Sequence, residues 1–349
     1  MGPSIQLAQA RRTTALGPFG VLSYLSHRPQ PSADFRVPPI GSTGTIELSS
    51  VNAPFHTPGS ARPPETSHSG PDTRLGIILR IAFFVGTVVI GIWVFTFLFS
   101  FFGVVVAGTF GLFMTGLSAN LLTMRIFDRR PLVDIGLGGD PGTRRNFLIG
   151  ILGGGGAAAA MLVAPLLAGT GHLVPRQNAT FAWPSLLFYL AVLLFGAAGE
   201  EMIFRGYAFQ LLIEKIGPFA TILPVGVIFG LGHSFNPHAT KLAVLNTMLW
   251  GILLGYSFLR SRDLWLPIGL HYGWNAVLPL FGVNLSGLTI EVTRYFYRWD
   301  LTPLWSGGAY GPEGGLLTTI FVIALFFLLA RAPIVPQPAA IARVLNEPA

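Results

Sequence analysis

The chain has 349 residues, 51% of them hydrophobic and 11% charged, with a net charge of +7 and no cysteine. Soluble domains carry about 25% charged residues, so this composition, with a mean hydropathy of +0.60, places the chain among membrane proteins. The missing cysteine excludes disulfides, cysteine-ligated zinc, iron–sulfur clusters and a cysteine nucleophile. The positive charge does not point to nucleic acid. The basic residues sit in short loops beside apolar runs, which is a membrane-topology pattern.

Residues 1–73 are rich in Pro, Ser, Thr and Gly with almost no periodic apolar pattern. Such a segment buries too little apolar surface to offset its ordering entropy and is expected to be a disordered tail. Arg11 and Arg12 come early, but no sustained apolar stretch follows them, so no signal peptide is expected. Residues 74–331 are expected to form a transmembrane bundle, and residues 332–349 a short C-terminal tail.

The bundle reads as about eight spans of about 20 residues each. Ile77–Met124 is too long for one span and suits two, with a break near Ser100–Gly103. The third runs Phe147–Gly169, the fourth about Pro184–Ile213 and the fifth Pro218–His233. Leu242–Leu259, Leu266–Val283 and Gly315–Ala330 complete the set. Each should be helical, because an open strand leaves its backbone groups unsatisfied in lipid. The expected fold class is therefore all-α, a polytopic membrane helix bundle. The run Gly153–Ala160 is expected to allow close helix packing. No Gly-Lys-Ser/Thr follows it, as a phosphate loop would require.

The basic residues fix an expected orientation. With the N-terminus inside, Arg74, Arg80, Arg125, Arg129, Arg130, Arg144, Arg145, Lys215, Arg260, Arg262 and Arg331 fall on the cytoplasmic side. Only Arg176, Lys241, Arg294 and Arg298 fall on the other. Both termini are then cytoplasmic, and the protein is expected in the plasma (inner) membrane with lipid as its partner.

Three polar sites interrupt the apolar spans. In Gly199–Arg205, two adjacent carboxylates and an arginine stand near the end of a hydrophobic segment. Each such charge costs about 2.5–3.5 kcal/mol at the bilayer centre on insertion scales. Glu201 and Arg205 are four apart and can pair on one face. Glu200 is turned about 100° away, which leaves it free to point into the bundle. The fifth span ends in Phe229-Gly230-Leu231-Gly232-His233, and the seventh holds His271 and Asn275 on one face. One such histidine is ordinarily a packing hydrogen bond. Glu200, His233, His271 and Asn275 on three spans together point to a functional site.

These motifs, in this order, resemble those of the CAAX-protease and bacteriocin-processing (CPBP/Abi) family of intramembrane proteases, of the Rce1-like type. Gly251–Tyr256 and Leu264–His271 resemble the family's linking text, and the resemblance spans about residues 125–330. It implies an intramembrane endopeptidase acting on a hydrophobic, lipidated or membrane-bound peptide or protein, with no nucleic-acid partner. Glu200 and His233 would activate a water, and His271 and Asn275 would stabilise the oxyanion. Glu201, Arg205 and Phe229 would support them. No cofactor is expected, because an asparagine beside the second histidine suits an oxyanion hole better than a zinc shell. The alternative is zinc held by Glu200, His233 and His271.

Other protease patterns are missing. There is no His-Glu-x-x-His, no Gly-x-Ser-x-Gly elbow and no paired intramembrane aspartate site. The alternative function is a non-enzymatic membrane scaffold or immunity factor that keeps the fold.

Overall fold

The computed structural model describes residues 73–177 and 181–346. The tail expected over residues 1–73 lies outside them, apart from Thr73. That residue caps the first helix, its hydroxyl accepting from the Gly76 amide at 3.1 Å.

The helices are α1 (Arg74–Phe99), α2 (Val104–Thr123), α3 (Pro141–Leu167), α4 (Trp183–Arg205), α5 (Tyr207–Ile216), α6 (Pro218–Gly232), α7 (Lys241–Ser261), α8 (Trp265–Leu280), α9 (Pro303–Ser306) and α10 (Leu316–Arg331). All eight expected apolar segments are helical. Among the described residues, six helical stretches are long and apolar enough to cross a membrane, α4 and α5 counting together, and α10 is a shorter apolar helix. At 16 residues each, α8 and α10 rise about 24 Å, short of a hydrocarbon core of about 30 Å. The protein is thus a polytopic all-α membrane bundle. Its outward surface is apolar, with Trp93, Phe101, Leu152 and Phe219 at least 75% exposed, as lipid contact demands.

Two strands escape a hydropathy reading. β1 (Gly171–Pro175) and β2 (Tyr295–Trp299) pair antiparallel, with Gly171 opposite Trp299. They tie the connection after α3 to the one after α8.

The fourth expected span is divided. At Gly206 the backbone leaves the helix (φ −73°, ψ −145°), and the buried Asn120 of α2 fills the gap. Its amide donates to the Met202 carbonyl at 2.8 Å, and its oxygen accepts from the Tyr207 amide at 2.7 Å. A Cβ at Gly206 would stand 2.3 Å from the Asn120 oxygen. A side chain from another helix thereby replaces the backbone partners lost at the break, as burial requires.

Helix α8 lies inside the bundle, packed on α3, α4 and α7. The small-residue run of α3 packs closely as expected, with Gly154 bearing directly on α8, and Gly150, one turn before the run, does the same. A Cβ at Gly154 would meet the Leu270 carbonyl at 2.0 Å. Backbone-to-backbone approach of this kind fixes the height and rotation of α8.

The C-terminal segment after α10 folds back onto one face of the bundle. The Gln337 amide donates to the Ser261 carbonyl at 2.8 Å, and the Val344 amide to the Glu214 carboxylate at 2.8 Å. Ala339 and Ala342 are buried there.

Candidate active site

The two carboxylates stand in the last turns of α4, where Gly199 lets this helix press on α2. A Cβ at that position would lie 2.4 Å from the Phe113 amide nitrogen. Glu201 and Arg205 are fully buried and paired at 3.2 Å. Arg205 also donates to the Gly251 carbonyl of α7 at 2.7 Å. Its guanidinium lies 4.8 Å from the centre of the Phe229 ring, a cation–π distance. The expected i,i+4 pair is therefore present, and it carries a connection the sequence did not suggest. The Glu201 oxygen that faces Arg205 also accepts from His271 Nδ1 at 2.9 Å. One buried carboxylate links α4 to α8 and, through Arg205, to α6 and α7.

Glu200 turns the other way, into a cavity of about 310 Å³. His233 caps α6 and His271 sits in the middle of α8. Their Nε2 atoms each stand 3.9 Å from Glu200 Oε2. The tautomers follow from the partners. Nδ1 of His233 faces the Phe229 carbonyl at 2.9 Å, and a carbonyl only accepts. Nδ1 of His271 faces a carboxylate. Both rings therefore hold a proton on Nδ1 and turn Nε2 toward Glu200. Glu200 Oε2 is itself buried without a hydrogen-bond partner, an arrangement that calls for a further polar group at that point. Asn275, one turn beyond His271, lines the same cavity. Phe229 packs on both rings, 4.7 Å from His233 and 6.2 Å from His271 between centres.

All seven residues singled out in the sequence are thus brought together, five lining the cavity and the Glu201–Arg205 pair buried behind them. One residue was missed. Glu313 lies in the connection before α10 and lines the cavity wall. It accepts from Trp274 Nε1 at 3.2 Å, and from the Ser286 amide at 2.5 Å and hydroxyl at 2.9 Å. Burial pushes its carboxyl above the ordinary range, against the opposing effect of those hydrogen bonds. Asn246 of α7 secures this connection by donating to the carbonyls of Glu313 and Gly315, each at 2.9 Å. Glu313 therefore fixes Ser286 in a loop, residues 283–292, that caps the cavity through Leu285, Leu288 and Ile290. A lone glutamate in a glycine-rich connection offers no spacing that sequence reasoning can use.

The zinc alternative meets a geometric difficulty. Zinc ligand atoms lie about 2.0–2.2 Å from the ion. Among the described residues, no three His, Cys, Asp or Glu side chains form a group that could hold a metal. Glu200, His233 and His271 do not fit one as placed.

Fold and site together define a polytopic helical membrane protein with an internal Glu/His/Asn centre. Residues 181–277 match the family of Rce1-like type II CAAX prenyl endopeptidases. The segment that holds all seven residues is therefore the part of the chain that is similar to that family. No curated protein and no solved structure matches the chain. The family is one of membrane proteases, and it implies membrane-associated, lipidated or prenylated peptide substrates.

Proposed function

We propose that the protein hydrolyses a peptide bond inside the bundle with a water held between Glu200 and His233. The observation that carries this reading is the position of the orphaned Glu200 Oε2, 3.9 Å from two imidazole Nε2 atoms. A water at that point donates one proton to Glu200 and the other to the bare Nε2 of His233. Two acceptors leave its lone pair directed at a substrate carbonyl, the requirement of general-base catalysis. The proton taken up by the pair then passes to the departing amine.

The developing oxyanion needs donors that are already in place. The Asn275 amide supplies one. His271 supplies another when its Nε2 also holds a proton, with Glu201 at Nδ1 as the counter-charge. Arg205, paired with Glu201 at 3.2 Å, holds that carboxylate in place. No step in this sequence needs a metal. Stoichiometric zinc in active protein, with loss of activity to chelators, would replace this water site by a metal-centred one.

The substrate is a hydrophobic or membrane-bound peptide, because the cavity is sunk in the bundle and walled by apolar side chains such as Leu193 and Leu254. We place the protein in the plasma membrane with both termini cytoplasmic, on the distribution of its basic residues.

The test compares membrane-protein termini in cells carrying the wild type or Glu200→Gln. Termini that vanish with the variant identify both the activity and the substrate. Unchanged termini, with both proteins folded and present, favour a scaffold.

A further inference from the structure

We infer that Trp250 is a substrate-positioning residue, its indole N–H donating to a backbone carbonyl of the peptide in the cavity other than the one attacked. This rests on the proteolytic reading for the peptide as occupant, but on no step of the cleavage.

Five buried side-chain polar atoms have no hydrogen-bond partner among the described residues. Two of them belong to residues that line the cavity, Glu200 Oε2 and Trp250 Nε1. The other three belong to Glu201, Arg205 and Gln210, which do not line it. Of the two cavity atoms, the carboxylate oxygen accepts and the indole nitrogen can only donate. The proposed water uses the acceptor. Nothing in the site uses the donor.

A buried indole N–H ordinarily finds a partner, and the neighbouring tryptophans follow that rule. Trp274 Nε1 donates to Glu313 at 3.2 Å, and Trp265 Nε1 to the Gly138 carbonyl at 2.7 Å. Trp250 is only 7% exposed, so bulk solvent does not take over that role. A buried donor without an acceptor carries its full desolvation penalty, and such a group calls for a specific explanation. An acceptor brought into the cavity by the substrate supplies one.

Contacts along α7 fix where that acceptor lies. Asn246, one turn before Trp250, secures the Glu313 connection that holds the cap. Gly251, the next residue, accepts from Arg205 in the floor. Thr247 and Leu254 line the cavity with Trp250, three and four positions away and so on the same helix face. Trp250 therefore stands on the wall between cap and floor. Its ring packs on Trp274 with centres 4.9 Å apart and planes at 61°. In the proposed mechanism the scissile carbonyl belongs to His271 and Asn275, both on α8. A donor on α7 then meets a different carbonyl of the same peptide. Every peptide carries such carbonyls, so the contact sets the register of the chain over Glu200 without reading its side chains. Away from water a hydrogen bond of this kind is electrostatically stronger.

The test replaces Trp250 by 3-benzothienylalanine, which keeps the indole shape with sulfur in place of N–H. The full chain is purified in detergent in the Glu200→Gln background, so that peptide binds without turnover. The probe is a fluorescently labelled prenylated peptide, the class that the matched family implies, followed by anisotropy. Loss of the donor should weaken binding about 3- to 10-fold, the net worth of one neutral hydrogen bond. The thermal unfolding midpoint should be unchanged or raised. In a second series each probe carbonyl is replaced in turn by CH2, and one member should bind both forms equally. Unchanged affinity, or no binding to either form, overturns the inference. A lowered midpoint also overturns it, since the N–H would then be spent within the protein, on the Trp274 ring. If the substituted protein does not accumulate, Trp250→Phe takes its place, and one probe of the series should again show the smaller loss. Cleavage that persists in cells carrying Glu200→Gln would sink the proteolytic reading and leave the binding result standing.

Discussion

The floor of the cavity and its cap are built on different principles. The floor is a buried charge network on regular helices, in which Arg205, Glu201 and His271 are joined within 3.2 Å. The cap is irregular chain, residues 283–292, held to the bundle mainly by Glu313 and the turns around it. The floor lies within the family-matched segment and the cap outside it. Helices hold groups at fixed spacing, so the proposed chemistry sits on them. Loops change shape with little cost to the bundle, so under the proposed function the cap is the region free to set which peptide enters.

The largest effect that would break this contrast is on the floor. Glu200→Gln should lower peptide cleavage by about 10²–10⁴-fold, the usual contribution of a general base, with helical content unchanged by circular dichroism. A variant that keeps its rate would remove Glu200 from the chemistry. Arg205→Ala strands Glu201 as an uncompensated buried charge, which costs about 3–5 kcal/mol. Its thermal unfolding midpoint in detergent should fall well below that of the wild type. An unchanged midpoint would mean that the buried pair does not hold the floor together.

Gly154→Ala tests how the floor is aligned. Its Cβ would stand 2.0 Å from the Leu270 carbonyl, so α8 must move, and His271 with it. Overpacking of this kind costs about 1–3 kcal/mol, and a 1 Å displacement of a catalytic group can cost about 10²-fold in rate. The measurement is kcat against the equivalent change at Gly156, where a Cβ would meet nothing within 4 Å.

Glu313→Gln tests the cap. Glutamine has one acceptor oxygen where the carboxylate has two, so its NH2 is set against either the Ser286 amide or Trp274 Nε1–H, with a cost of about 1–3 kcal/mol. The expected result is a raised KM with kcat largely kept. A collapse of kcat instead would make Glu313 part of the floor.

The smallest effect is a pH dependence at Asp263 in the α7–α8 turn. Burial raises its pKa from 3.8 to about 6, against the lowering effect of the hydrogen bond from Asn146. A folded-state pKa above the unfolded one means that the folded protein holds the proton more tightly. Stability is therefore greatest below about pH 4 and falls as pH rises through about 6. Asp263→Asn should flatten that part of the midpoint-against-pH curve, and a slope that survives would assign it to another group.

Much of this was legible in the sequence. Low charge and long apolar runs specify a membrane bundle because lipid leaves helices as the way to satisfy the backbone of such segments. The i,i+4 spacing of Glu201 and Arg205, and of His271 and Asn275, places each pair on one face because helical geometry is local. The run of glycines and alanines in α3 likewise announces close packing. What the sequence did not determine depends on residues distant along the chain. Asn120 interrupts what reads as one span by donating to Met202, 82 positions away. The bond from His271 to Glu201 joins residues 70 positions apart. Glu313 reaches the cavity from a connection with no periodicity at all. Local periodicity fixes each element and its faces, but which faces meet is decided by packing and by the need of every buried polar group to find a partner. Only the tertiary structure carries that information.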